Sequence, residues 1–377
     1  MRRERHRPLS LAASDHRLIY PVEIAGKVQH GRQLSNTINH QTTDSAALFG
    51  QLEYNFTDAF AVILGGRYTW EQKDFSSLQT LELQSGGQDN FGPAEVQTDA
   101  RDLEDSQFSW RLGANYTFSP ETMAFASVAT GFKSGGFNGG FLSDDPIAAA
   151  RQRQPVKAEE VTAYEIGVKT ELLDGAMLFN ASVFYNDYKN QQLFALLPPL
   201  PGSLGPVNAL ENAEKAHTQG VDLQITWEAT PELNLTANIG LLETELDKFV
   251  AFTDPAQPDY SGNELPLAPE VTASLFADWQ YPVGPGTLKV QANSNYRSSQ
   301  FFDIANTDYM AEDAYWVHNL RVAYALDGEA WEVAAFVRNL SDEEYFQQKF
   351  DLTNPFGYVQ GVTGMPRTVG VELNLTY

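Results

Sequence analysis

Long stretches of two-residue alternation run through this sequence, and few folds can use them. Phe108, Trp110, Leu112, Ala114, Tyr116 and Phe118 alternate with Ser109, Arg111, Gly113, Asn115 and Thr117. Val221, Leu223, Ile225 and Trp227 oppose Asp222, Gln224, Thr226 and Glu228; Leu233, Leu235, Ala237 and Ile239 oppose Asn234, Thr236 and Asn238. Near the C-terminus Val369, Val371, Leu373, Leu375 and Tyr377 oppose Glu372, Asn374 and Thr376. Successive strand side chains point to opposite faces, so each segment offers one apolar and one polar surface. About 13 strands are predicted, near 44–57, 60–76, 105–118, 121–137, 159–174, 175–193, 215–229, 231–249, 267–282, 286–299, 314–326, 329–340 and 366–377.

Several of these segments exceed the usual length of a globular strand, and their apolar faces carry almost no charge through the middle. Hydrocarbon explains that absence, because a lipid-facing Arg or Lys at mid-depth costs about 2–4 kcal/mol. The connections sort by length. Short turns are expected at Thr57-Asp58, Ser119-Pro120, Asp174-Gly175, Thr230-Pro231, Val283–Gly286 and Asp327-Gly328. Long polar loops are expected at 77–104, 138–158, 194–214, 250–266, 300–313 and 341–365. Short and long connections in turn describe a membrane barrel with tight inner turns and extended outer loops. Aromatic residues near strand ends, such as Tyr54, Phe60, Trp70, Trp227, Trp279 and Trp331, suit its interfacial girdles. A soluble sandwich or propeller also alternates, but with shorter strands and no such sorting.

The net charge of -24 argues against a nucleic-acid partner, and with no cysteine there is no thiolate metal site or cysteine nucleophile. No apolar run approaches the roughly 20 residues of a spanning helix. Residues 1–41 are poorly patterned: a basic start (Arg2, Arg3, Arg5, Arg7) leads into too short an apolar patch for an export signal, so a disordered segment or outer loop is expected. The strands at 44–57 and 366–377 would both run inward. Antiparallel closure therefore needs at least one further strand, for which 18–30 is the candidate.

Three motifs resemble those of TonB-dependent outer-membrane receptors. The first is Ala129-Thr130-Gly131-Phe132-Lys133-Ser134-Gly135-Gly136-Phe137-Asn138. The second is Asn339-Leu340-Ser341-Asp342-Glu343-Glu344-Tyr345, with serine where that family has an aromatic residue. The third is Gly364-Met365-Pro366-Arg367-Thr368, followed by a last strand ending at Tyr377. Together with the opening hairpin, Thr43 to Tyr68, the resemblance covers about 42–377. It implies an all-β fold, an antiparallel transmembrane β-barrel portion: the C-terminal part of a 22-stranded type, here without the family's plug domain. It also implies a Gram-negative outer membrane, contact with lipid and with the barrel assembly machinery, and import of a scarce nutrient such as a ferric siderophore. The TonB complex would be a partner only if a plug and coupling motif lie upstream. A plugless pore or structural barrel is the alternative.

The residues show no enzyme motif, so neither catalysis nor a metal or cofactor is expected. The six histidines are scattered, and His318 is read as a strand-end residue, with a hydrolase role as a remote alternative. Lys133-Ser134-Gly135-Gly136 is not a phosphate loop, because no helix N-terminus follows it; its glycines are read as relieving crowding near the rim. Ligand contacts are expected from the outer loops, at Phe194–Leu204, Phe301–Tyr309 and Phe350–Tyr358, because loops carry recognition on a rigid sheet.

Overall fold

The computed structural model describes residues 10–20, 28–30, 33–83, 95–139, 146–197, 207–251, 258–326, 331–353 and 357–375. One antiparallel sheet carries the architecture. In chain order its strands are β1 (Ser10–Tyr20), β2 (Val28–His30), β3 (Gln33–Asn55), β4 (Phe60–Leu83), β5 (Glu95–Ser119), β6 (Thr122–Lys133), β7 (Glu159–Leu172), β8 (Met177–Leu197), β9 (Val207–Thr230), β10 (Leu233–Lys248), β11 (Val271–Val283) and β12 (Gly286–Arg297). After the short pair β13 (Gln300–Phe301) and β14 (Ala311–Glu312), β15 (Tyr315–Leu326) and β16 (Trp331–Arg338) rejoin it. A second outer hairpin, β17 (Phe346–Leu352) and β18 (Tyr358–Thr363), precedes β19 (Thr368–Leu375). The main sheet is 15-stranded, each strand pairing with its sequence neighbour from β3 to β12 and then through β15 and β16 to β19.

All the segments read from alternation are strands of this sheet. Two further strands pair with β3: β1, from Ser10↔Gln51 to Tyr20↔Gln41, and the short β2, from Val28↔Ser35 to His30↔Gln33. Both ends of the candidate 18–30 are therefore strand, and 21–27 lie outside the described residues. Two expected loops are largely strand: β4 continues to Leu83 with β5 starting at Glu95, and β8 continues to Leu197 with β9 starting at Val207. These extensions are polar or irregular, so alternation against lipid does not mark them. A strand of 24 residues reaches about 80 Å, whereas the membrane needs only about 10 residues. The surplus stands outside as paired ribbon.

The short turns are held locally. Thr57 Oγ1 accepts from the Ala59 and Phe60 amides, Ser119 Oγ from Glu121 N, and Thr230 Oγ1 from Glu232 N. At the β7–β8 turn Leu173, Asp174 and Gly175 all take positive φ. Asp327-Gly328, Met1–Arg7 and Tyr377 lie outside the described residues.

One sheet face is exposed and apolar, with Ile166, Val183, Leu112 and Leu241 among it. Aromatic rows border it on both sides. Tyr116–Phe118, Trp279–Tyr281 and Tyr324–Trp331 lie toward the short turns, and the cross-strand pairs Tyr164–Tyr185 and Tyr296–Trp316 toward the loops. This is a hydrocarbon belt between two girdles. Val183→Arg, at its middle, is expected to lower stability in lipid by about 2–4 kcal/mol, read from urea unfolding in vesicles. A loss below about 0.5 kcal/mol there would remove lipid from that face.

Candidate functional site

The opposite face is polar and concave. Arg111, Asn115, Lys169, Asn180, Asp222 and Gln224 line a cavity of about 1260 Å³ with Glu165, Arg297, Tyr315 and Tyr345. Within it Asn180 donates to Gln224 at 3.0 Å, Lys169 lies over the Phe125 ring, and Tyr315 stacks on Tyr345 with centroids 4.4 Å apart. Toward the short turns the same face carries an ion-pair network. Glu332 accepts from Lys289 at 3.0 Å and from Arg321 at 2.6 Å, while Arg321 also reaches Glu372 at 3.2 Å. Its two cations and two carboxylates compensate one another.

The first motif sits at the outer rim of this wall. β6 ends at Lys133, and the chain then folds back against neighbouring strands. Ser134 Oγ donates to Glu71. Lys73 Nζ donates to Ser134 Oγ at 2.5 Å and to the Gly135 carbonyl at 2.7 Å, and it pairs with Glu71 at 2.9 Å. Gly135 N donates to Asp105 Oδ2 at 3.2 Å. A Cβ on Gly135 would stand 2.6 Å from the Val156 carbonyl, so no side chain fits. Phe137 stacks on Phe75, centroids 4.9 Å apart, and both are buried. Gly131 and Phe132 remain in β6, opposite Val161 and Glu160, and Asn138 is buried next to Phe137.

The returning end of this loop is pinned as well. Gly136 and Val156 form a two-way bridge, and Gln192 Nε2 donates to the Ser134 and Lys157 carbonyls. Asn212 takes the Lys157 amide and donates to the Lys157 carbonyl. Between the pinned ends lies helix α1 (Pro146–Gln152). Its Ala148 joins a buried cluster with Ala195, Leu197, Ala209, Ala213 and Leu246. Asn190, at φ 52, changes which residues face inward: beyond it Ala195 and Leu197 are buried while Phe194 and Leu196 are exposed.

The second and third motifs meet. Asn339, 2% exposed at φ 50, accepts from Glu343 N at 2.8 Å and donates to the Glu343 and Met365 carbonyls. Asp342 Oδ1 accepts from Arg367 N at 2.8 Å and its Oδ2 pairs with the Arg367 guanidinium at 3.2 Å. Leu340 N donates to the His318 carbonyl, and Thr368 Oγ1 to that of Pro366. Tyr345 covers Gly364, whose Cβ would fall 2.1 Å from the ring. The segment from Asn339 to Met365, 26 positions apart, thus closes as a loop around one asparagine.

Of the loops expected to touch ligand, Phe302 and Ile304 are buried, while Phe194, Tyr309, Phe350 and Tyr358 are exposed. Tyr309 donates to Asp351 at 3.0 Å. Burial raises Asp351's pKa, but the Thr353 and Tyr309 hydrogen bonds together hold it below the usual aspartate value. His318 lies on the apolar face with Nδ1 2.8 Å from Ser294 Oγ and its ring against Trp316. Glu71, Lys73, Asp105 and Gln192 hold the first motif, and Asn212 holds the returning strand at Lys157; the sequence alone does not mark them. Alternation marks their faces but not their partners.

The family model described as TonB dependent receptor-like, beta-barrel matches residues 13–340. The pesticin receptor of Yersinia pestis is 25% identical over 351 residues, covering 91% of this chain and 45% of the relative. The metal-pseudopaline receptor CntO of Pseudomonas aeruginosa is 25% identical over 341 residues, covering 90% and 42%. In structure, the ferric yersiniabactin uptake receptor FyuA of Yersinia pestis aligns with a TM-score of 0.71 at 20% identity, over 90% of this chain and 47% of that one. The ferric-catecholate import receptor Fiu of E. coli K12 aligns at 0.67 and 18%, over 97% and 50%. The chain therefore spans a little under half the length of the curated relatives it matches. With a lipid belt, a polar inner wall and rim motifs in register, this chain belongs to the TonB-dependent receptor-like β-barrel family of the Gram-negative outer membrane.

Proposed function

We propose that this barrel wall serves a receptor that imports a scarce, bulky metal chelate such as a ferric siderophore, using energy from the TonB complex. The observation that supports this most is the inner wall: a cavity of about 1260 Å³ with three cations and two carboxylates facing inward, under a rim of tied-down outer loops. Such a wall accommodates a polar filling and a polar solute. Relatives named for ferric yersiniabactin, ferric catecholates and metal-pseudopaline make a metal chelate the first cargo to test. Lipid contacts the belt, and the C-terminal strand with Tyr377 is the segment offered to the barrel assembly machinery.

The test is growth of the iron-starved host, with and without this gene, on a panel of ferric chelates in TonB-competent and TonB-deficient backgrounds. Loss of growth on one chelate, matched by loss of TonB, supports the importer. Unchanged growth on every chelate, together with steady ion conductance of the purified chain in planar bilayers, would replace it with a passive pore.

In this reading the protein has no catalytic activity. Ser294 Oγ and His318 Nδ1 hydrogen-bond to each other, and no carboxylate among the described residues hydrogen-bonds that imidazole. Esterase activity that disappears in His318→Ala would overturn this.

A further inference from the structure

The sheet parts between β5 and β6 at its outer end. Their ladder stops at Arg111↔Ala129, although β5 runs on beside β4 as far as Glu95↔Leu81 and β6 beside β7 as far as Lys133↔Glu159. Just past that pair the Trp110 amide donates to Thr130 Oγ1 at 3.0 Å, a side chain standing where a paired strand would offer a carbonyl. The chain after Lys133 turns inward onto Glu71, Asp105 and Phe75, while Phe108 and Trp110 stay exposed on the lipid side. A cavity of about 160 Å³ occupies the gap, lined by Phe108, Trp110, Thr130, Phe132, Thr162 and Lys189. Thr162 stands two positions beyond the girdle residue Tyr164 on the same face, and Lys189 four beyond Tyr185, so the cavity lies where hydrocarbon gives way to headgroups. Lys189 is also the direct cross-strand partner of Lys215. Like charges placed so repel, and little nearby offsets them. Lys215 approaches Asp187 and Asp247 only to 4.0 and 3.8 Å, and Lys189 forms no ion pair with any described residue, Glu160 opposite it included.

We propose that this gap is a site for one phosphate-bearing lipid of the outer leaflet: an acyl chain enters beside Phe108, Trp110 and Phe132, and the phosphate rests between Lys189 and Lys215. The cavity continues the hydrocarbon belt, because Trp110 follows Leu112 and Thr162 follows Tyr164 on the exposed apolar face. A lipid chain reaches it without leaving the membrane. A phosphate between the two ammonium groups relieves their repulsion, and its bonds to them are charge-assisted. A soluble anion would meet the lysines but leave the aromatic walls without a partner. The depth suits the backbone too: hydrocarbon cannot satisfy a parted sheet edge, whereas headgroup oxygens and water can. This goes beyond the transport reading and does not depend on which solute is carried.

Trp110 lines the cavity and reports on it directly. Its fluorescence is the difference between the full chain and Trp110→Phe, each refolded in phosphatidylcholine vesicles and titrated with chain-brominated lipid. In the parent, half of that signal is expected to be quenched at a roughly fivefold lower mole fraction of brominated phosphatidylglycerol than of brominated diacylglycerol with the same chains. Lys189→Gln/Lys215→Gln is expected to bring the two half-points within about twofold of each other. Thr162→Phe, which fills the cavity and leaves both lysines in place, is expected to do the same. The other tryptophans, read in the Trp110→Phe background, should quench alike throughout; if one variant loses the sheet by that measure, the other decides. Equal half-points in the parent overturn the proposal. So does a preference that survives Thr162→Phe, which would report surface attraction without a site. A preference abolished by free inorganic phosphate overturns it as well, by assigning the lysines to a soluble anion.

Discussion

Asn339→Ala is expected to destabilise the barrel by about 3–5 kcal/mol, the largest single effect among the family motifs. Three buried hydrogen bonds end on that side chain, joining the end of β16 to Glu343 and to Met365 on the way into β19. Each is worth about 1 kcal/mol net, and an orphaned buried amide or carbonyl costs more. The backbone adds a further penalty of about 1 kcal/mol, because φ 50 suits asparagine or glycine but strains alanine. Asn339→Gly should therefore recover only that last part. Urea midpoints in vesicles, with Asn339→Gly lying between parent and Asn339→Ala, would confirm the clasp. A loss under about 1 kcal/mol in Asn339→Ala would mean that the loop closes without it.

Gly220→Ala is expected to cost about 2–3 kcal/mol and to slow refolding into vesicles. Its Cβ would lie 2.1 Å from the Leu241 carbonyl oxygen and 2.8 Å from the Phe184 ring. Phe184 and Gly220 are direct cross-strand partners, and the same arrangement recurs at Phe125↔Gly167 and Phe336↔Gly370. On the inner wall these glycines let an aromatic ring lie flat across the neighbouring strand. The carbonyl cannot yield, because β10 is paired on both sides at Leu241. Gly220→Ala/Phe184→Ala should therefore relieve only the ring's share of the clash. A neutral Gly220→Ala would show that the strands have room to separate at that point.

These two sites show different degrees of legibility. The glycines stand out in sequence, but their ring partners lie 34 to 42 residues away, and only pairing register brings them opposite. Asn339 and Arg367 belong to recognisable motifs, yet nothing in either motif states that one closes on the other. In β8, Met177, Phe179, Ala181, Val183 and Tyr185 form the apolar face and Phe184 breaks the alternation, because its ring covers Gly220 on the polar side. The outer ribbons were read as loops because water on both faces removes the alternation that lipid imposes. At Asn190 one positive φ reverses the faces, so Ala195 and Leu197 pack inward where an unbroken period of two would turn both outward.

The sequence by itself determined the all-β class, the strand segments, the charge-free lipid face and the family motifs. Each of these follows from local chemistry: side chains alternate with period two, hydrocarbon rejects charge, and turns need particular backbone angles. Tertiary structure alone decided that Glu71, Lys73 and Asp105 hold Ser134 and Gly135, that Asn339 ties a distant segment, and that Arg151 settles onto Glu211. Those contacts depend on register summed over many strand pairs, and hydrogen bonds between polar groups far apart in sequence leave no periodic trace in it.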